Sequence, residues 1–254
     1  MSITSESEWT GMQRVSEVVA TTLKAMREYA KPGMTTKQLD DYGRKLFEVS
    51  GAVSAPTLTY GFPGWTCISL NGEIAHGIPT RDRVMEVGDL VNIDVSAMLD
   101  GYWADNGGSF VLGRDIRGLQ PLVNASRDIL WKAIHQIRGG VRIADIGRLI
   151  ETEAKKRGYT VIKNLTGHGV GRSLHEEPGE IANYYDRFNK GRFKKNQVVA
   201  IETFISNRST LALTTKDGWT LIGNKGGFAT QHEHTIVVTD GSPAILTQKN
   251  EIWN

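Results

Sequence analysis

The chain has 254 residues, 39% of them hydrophobic and 28 of them glycine, which is the apolar content of an ordinary folded protein. Lys+Arg 30 against Asp+Glu 28 leaves a formal charge of +2, so binding of nucleic acid or an anionic membrane through bulk charge is excluded. The single cysteine, Cys67, excludes an intramolecular disulfide and a cysteine-rich zinc site. With no basic and apolar leader and no run of about 18 apolar residues, the expectation is an untargeted cytoplasmic protein.

In chain order, the first predicted element is a helix at about 8–30. A second lies between Gly33 and Gly51, capped by Thr35 or Thr36, with Leu39, Tyr42, Leu46 and Phe47 on its apolar face. Strand-like runs follow at 66–71, Leu90–Leu99 and 102–112. The order then starts again, with a helix at about 121–137 that has proline in its first turn. Another lies between Gly140 and Gly158, with Ile143, Ile146, Leu149 and Ile150 on its stripe. Strands are predicted at 160–165, 197–206, 219–221 and 227–239. The bracketing glycines are 18 apart in both copies and the copies are offset by 107 residues, which reads as an internal duplication. Helices followed by blocks of strands argue for an α+β fold with antiparallel strands rather than a parallel doubly wound sheet. One domain over 1–254 is expected, with pseudo-twofold halves at about 8–117 and 118–247.

Acidic residues inside apolar strands are costly to bury unless paired or bound to a cation. In the run 90–96, Asp94 shares a face with Asn92 and Ser96, while Val91, Ile93 and Val95 face the other way. Glu202 sits in the same setting 108 residues later, so the two are expected to be symmetry mates meeting near the pseudo-twofold axis. Asp105 and Glu233 are the other two such residues. Taken singly, each is explained by a surface-facing position or a local hydrogen bond. Together with His168, whose flanking glycines let other groups approach, the four carboxylates suit two divalent cations such as Mn²⁺, Co²⁺, Fe²⁺ or Zn²⁺. Paired metals of this kind deprotonate a shared water and polarise a carbonyl, which is hydrolase chemistry.

His76 in Ala75-His-Gly-Ile-Pro79 and His175 in Leu174-His-Glu-Glu-Pro178 stand at turn-like positions closed by proline, as candidate proton donors or carbonyl stabilisers. His135 reads as a plain helix residue. Strand alternation points His232 and His234 away from the Glu233 face, outside the metal set. The glycines around His168 lack the spacing of a phosphate loop. No P-loop, H-E-x-x-H or G-x-S-x-G pattern occurs. The basic stretch 187–195 reads as a solvated loop rather than an RNA contact.

These residues lie in an ordered series of motifs: Cys67-Ile-Ser-Leu-Asn71, Ala75-His-Gly-Ile-Pro79, Gly88-Asp-Leu-Val-Asn-Ile-Asp-Val95, Tyr102-Trp-Ala-Asp105, Gly167-His-Gly-Val-Gly171, Leu174-His-Glu-Glu-Pro178, Ala200-Ile-Glu202 and Gln231-His-Glu-His-Thr235. In this series the chain resembles the methionine aminopeptidases of the type I, bacterial style. The resemblance implies the pita-bread α+β fold, a curved antiparallel sheet covered by helices. It implies two divalent ions (Co, Mn, Fe or Zn) on Asp94, Asp105, His168, Glu202 and Glu233. It further implies His175 as the group that holds the scissile carbonyl, His76 as a contact to the scissile amide or substrate backbone, and Glu202 as proton acceptor. The methionine pocket implied by the family maps onto Phe62, Cys67, Leu174 and Trp219, surfaces that suit a thioether.

The implied reaction is removal of the initiator methionine ahead of a small second residue. The implied partners are nascent peptide N-termini near the ribosomal exit tunnel, with no DNA or membrane partner and a monomeric chain. Thr203 stands where the family usually has proline, and Asn106 where threonine is common. Neither is an implied ligand, so they bear on metal preference and rate rather than on the reaction.

X-Pro aminopeptidases, prolidases and creatinases share the fold implied here, but carry an extra N-terminal domain, whereas only a short stretch precedes the first predicted helix. Type II methionine enzymes carry an insertion between the ligand histidine and the next glutamate. His168 and Glu202 are 34 apart, which favours type I. A non-catalytic relative that binds peptide or ribosome would be expected to lose ligands, and all five are present with both histidines.

Overall fold

The computed structural model describes residues 1–253. Its first half contains helices α1 (Glu6–Tyr29) and α2 (Thr36–Ser50), strand β1 (Val53–Ser54), the short helix α3 (Ala55–Tyr60), and strands β2 (Cys67–Leu70), β3 (Glu73–Ala75), β4 (Leu90–Leu99) and β5 (Tyr102–Val111). The second half contains α4 (Gln120–Ile134), α5 (Ile143–Lys156), β6 (Thr160–Val161), β7 (Thr166–Gly169), β8 (Glu176–Ala182) and β9 (Val198–Ser206). It ends with β10 (Ala212–Thr214), β11 (Leu221–Gly223), β12 (Ala229–Val237), β13 (Ala244–Ile245) and a 3-10 turn at Gln248–Asn250.

Local chemistry explains the helix starts. Ser5 caps α1 by accepting from the Glu8 N–H, and Thr35 caps α2 in a reciprocal box with Gln38. Gly51 closes α2 in the left-handed conformation. The main sheet runs β1-β4-β5-β12-β9-β7-β8, with β2 on β4, β6 on β9 and β13 on β12; β10, β11 and β3 form a small second sheet. Every pairing is antiparallel, as the segregated helix and strand blocks predict. Helix α1 packs on β4 and β5, and α4 packs on β9 and β12, so the pita-bread α+β expectation holds.

Strand alternation sorts the two faces. Val91, Ile93, Val95 and Ala97 of β4 and Val199, Ile201 and Ile205 of β9 are buried in the main core beneath the helices. Their neighbours Asn92, Asp94 and Ser96, and Glu202 across the sheet, take the opposite face. Asp40, buried in α2, ties the start of β2 to that helix by accepting from the N–H groups of Trp65 (3.0 Å) and Thr66 (2.9 Å). Cys67 is thereby set at the edge of the open face.

Several boundaries differ from the sequence reading. The run 160–165 is a strand only at Thr160–Val161, and His168 lies on a separate short strand, β7. The run 219–221 becomes Leu221–Gly223, leaving Trp219 in the preceding turn. Helix α3, β3 and β10 carry no clear periodicity because they are short, and β8 because Pro178 and Gly179 interrupt its run; tertiary contacts hold them. Among the described residues, no helix is long and apolar enough to cross a membrane.

Candidate active site

A cavity of about 440 Å³ opens on the carboxylate-bearing face of the sheet. All eleven residues singled out from the sequence line it: Phe62, Cys67, His76, Asp94, Asp105, His168, Leu174, His175, Glu202, Trp219 and Glu233. The strand register explains how they meet. Asp94 on β4 stands opposite Gly107 on β5, Gly107 opposite Glu233 on β12, and Glu233 opposite Glu202 on β9. Three carboxylates therefore lie in one row across four strands, with Asp105 two residues along the same face of β5. His168 joins from β7, opposite Ala200 of β9.

Asp94 and Glu202 are equivalent positions, as their offset predicts, but they do not meet at the centre of the sheet. The second strand of each pair turns inward, so β5 and β12 are the middle strands and Asp105 and Glu233 lie between the other two. The glycines beside His168 also serve a different purpose from the one expected. A Cβ on Gly167 would come 2.5 Å from the Ala200 carbonyl oxygen, and one on Gly169 would come 2.6 Å from the Glu177 carbonyl carbon. They let β9 and β8 close on β7, rather than admit a ligand to the imidazole.

One ligand atom each from Asp105, His168 and Glu233 lies within 4.8 Å of the others. These three residues are 7%, 4% and 1% exposed. Asp105 Oδ1 and Glu233 Oε1 are buried with no hydrogen-bond partner among the described residues, a costly condition that a cation relieves. His168 Nδ1 lies 3.0 Å from the Gly169 carbonyl oxygen. An N–H donated there leaves the Nε2 lone pair, 3.8 Å from Asp105 Oδ2, for a metal. Burial drops His168 to about 4, keeping the imidazole neutral. Burial pushes Asp94 up to about 6, and pushes Asp105, Glu202 and Glu233 well above the usual carboxylate range, with mutual repulsion adding to it. An oxygen-rich, crowded donor set with partnerless atoms fits divalent metal ions.

Two residues at the site escaped the sequence reading. Gln231, on the Glu233 face of β12, donates from Nε2 to Glu233 Oε2 (2.9 Å) and Glu202 Oε2 (3.4 Å), while its Oε1 accepts from Asn92 Nδ2 (2.8 Å). Its amide occupies the space that a side chain on Gly107 would fill, and it orients two carboxylates at once. The two-residue spacing from Glu233 was the available signal. The second is Tyr60, whose hydroxyl is 2.6 Å from His175 Nδ1. It sits on α3, which showed no helical period.

His76 adopts φ 54 beside the cavity, and burial lowers the pKa of both His76 and His175. His175 follows a turn held by Glu176, whose Oε1 accepts from the Arg172 N–H (2.5 Å) and the Ser173 N–H (2.8 Å). Phe62 and Trp219 meet edge to face at 5.3 Å and, with Cys67 and Leu174, form an apolar and sulfur-lined recess of the cavity. The three histidines left out of the metal set have other partners. His232 Nδ1 pairs with Ser126 Oγ (3.1 Å) and His234 Nδ1 with Thr247 Oγ1 (2.8 Å), on the helix side, and His135 caps α4. Thr203 bonds Ser126 Oγ at 2.9 Å, and Asn106 bonds the Val95 carbonyl oxygen at 2.9 Å. Both departures therefore serve the buried back of the sheet.

The sequence family described as metallopeptidase family M24 matches residues 10–240. Methionine aminopeptidase 2 of Bacillus subtilis (strain 168) is 45% identical over 248 residues, covering 98% of this chain and 100% of that protein. The crystal structure of a methionine aminopeptidase from Thermotoga maritima superposes with a TM-score of 0.92 at 32% identity, covering 97% of this chain and 99% of that one. A prolidase from Pyrococcus furiosus shares the fold at a TM-score of 0.77 and 20% identity, with this chain covering 65% of its length. With similarity running end to end and the acidic cluster at its centre, the chain belongs to metallopeptidase family M24, among the bacterial methionine aminopeptidases.

Proposed function

We propose that the chain removes an N-terminal methionine from peptides whose second residue is small, as a type I enzyme with two divalent ions, Co, Mn, Fe or Zn. The observation that carries this reading is the shared cavity: a recess of Phe62, Cys67, Leu174 and Trp219 opens directly onto the carboxylate and histidine cluster. A thioether side chain in that recess sets its own peptide bond beside the reacting groups. Asp94, Asp105, His168, Glu202 and Glu233 would hold the ions. When bound, they supply Lewis acidity, acidifying a water and polarising the scissile carbonyl.

The chain's own groups do the rest. A carboxylate oxygen of Glu202 takes the proton of the attacking water. His175 donates a hydrogen bond to the carbonyl oxygen as it gains charge, and His76 contacts the scissile amide or the substrate backbone. Gln231 keeps Glu202 and Glu233 turned toward the cavity. The substrates are nascent peptide N-termini as they leave the ribosome, met in the cytoplasm by a monomeric chain. Neither DNA nor membrane enters the reading.

Chelator-stripped protein given Met-Ala-Ser, Met-Lys-Ser and Ala-Pro-Ser, with and without Mn²⁺ or Co²⁺, tests it by mass spectrometry. Metal-dependent loss of methionine from the first peptide alone is expected. Cleavage of Ala-Pro-Ser would move the chain to X-Pro hydrolysis, and no cleavage with any metal would leave a peptide-binding relative. His175→Ala is expected to lower kcat by about a hundredfold with a smaller effect on KM, because its hydrogen bond strengthens in the transition state. An unchanged kcat in steady-state assays removes it from the mechanism.

A further inference from the structure

Tyr60 is the last residue of α3, and two contacts fix where that helix ends. The N–H of Gly61 closes back on the Pro56 and Thr57 carbonyls, and Thr57 Oγ1 donates to the Gly64 carbonyl oxygen at 2.6 Å. These bonds fix the segment between α3 and β2 along the cavity wall, which Tyr60 and Phe62 line, with Phe62 facing Trp219 and Tyr60 facing His175. The Tyr60 and His175 rings are 5.9 Å apart at 45°, and the phenol oxygen lies 2.6 Å from Nδ1. The His175 ring also packs against the His168 ring, with centroids 4.1 Å apart. The imidazole is thus held between contacts to Tyr60, 115 residues away in sequence, and to His168 on the neighbouring strand.

We propose that Tyr60 is a positioning residue that donates its hydroxyl proton to Nδ1 of His175, holding His175 as the Nε2–H tautomer so that an N–H donor faces the cavity. This rests on the reading of His175 as the group that receives the charged carbonyl oxygen. A neutral imidazole offers one donor and one acceptor, and the partner of the first nitrogen decides the role of the second. A phenol is the better donor and imidazole the better acceptor, so Nδ1 accepts and Nε2 keeps its proton. Burial, and then the negative charge of Asp105, push the Tyr60 pKa up, so the phenol retains the proton it donates. Without this bond the ring could present a lone pair at Nε2, which repels a developing oxyanion.

The test is Tyr60→Phe, which keeps the ring and removes only the hydroxyl. Tyr60 is 51% exposed, so the variant is expected to fold, as circular dichroism would verify. On Met-Ala-Ser with Mn²⁺, kcat is expected to fall about tenfold with KM nearly unchanged, the scale of one lost hydrogen bond made in the transition state. Independently, ¹⁵N-histidine NMR of metal-free protein is expected to show His175 as the Nε2–H form in the wild type and as a mixture of tautomers in Tyr60→Phe. The proposal is overturned if wild-type His175 is the Nδ1–H form, if the variant's tautomer does not change, or if the loss of activity appears in KM alone. Failure of the wild type to cleave any methionine peptide would instead overturn the parent reading, while the nitrogen spectrum still decides whether Tyr60 sets the tautomer.

Discussion

Glu233→Gln is expected to abolish turnover and, at the same time, to raise the melting temperature of the metal-free protein. Glu233 is 1% exposed and one of its oxygens has no partner among the described residues. It stands directly across from Glu202. Outer partners of metal ligands already cost about 10–100-fold when removed, so loss of the ligand itself should exceed about a hundredfold in kcat/KM. In the metal-free state the same carboxylate is a liability, because burial and the negative charges of Asp105, Glu202 and Asp94 disfavour its ionised form, so folding forces it to hold a proton that the unfolded chain has released. The amide keeps the shape and the contact to Gln231 while removing the charge. A gain of about 2 kcal/mol would show as roughly 4–8 °C in a chain of this size. Steady-state assays and melts of chelator-treated protein near neutral pH decide it. Wild-type turnover would remove Glu233 from the metal set, and a lower melting temperature would show that the carboxylate contributes to the apo fold.

The second large effect is a pH dependence that metal reverses. Asp105, Glu202 and Glu233 have native pKa values pushed well above the carboxylate range by burial, so the native state holds protons that the unfolded chain has released. Stability of the metal-free protein therefore falls as pH rises through those native values. Below about 6.5 the buried histidines act in the opposite sense. His168 is lowered to about 4 and His232 and His234 to about 3, so their contribution is lost as pH falls. Above about 6.5 histidines are neutral in both states, and in the window just above that value the carboxylates set the slope. The melting temperature of chelated protein is expected to decline across that window. At a free Mn²⁺ concentration a thousandfold above its Kd, about 4 kcal/mol returns, or on the order of 10 °C. A chelated protein whose melting temperature is flat or rising over the window would contradict the clustering of ionisable carboxylates.

The parts of this protein visible in one dimension were those with a period or an anomaly. Helices α1, α2, α4 and α5 have apolar stripes repeating at helical spacing, with side-chain caps on α1 and α2, and β4, β9 and β12 have alternation with one acid on the wrong side of a hydrophobic strand. The four proposed carboxylate ligands were found because burying a carboxylate demands a reason wherever the chain folds. Short elements gave no such trace. Six residues of α3 cannot stabilise a helix alone, and the four residues of β7 become a strand only because two glycines let neighbouring backbones close in.

What the sequence by itself determined was therefore the inventory: the α+β class, the duplicated order, the acids, and the two turn histidines. Only the tertiary structure decided how they face one another. Antiparallel register put Asp94, Glu233 and Glu202 in one row and moved β5 and β12 to the centre. Gln231 could then bridge two carboxylates across the gap at Gly107, and Tyr60 could reach a histidine 115 residues away. Burial and composition are written residue by residue, whereas hydrogen-bond partnership depends on angles and distances that exist only once separate strands have paired.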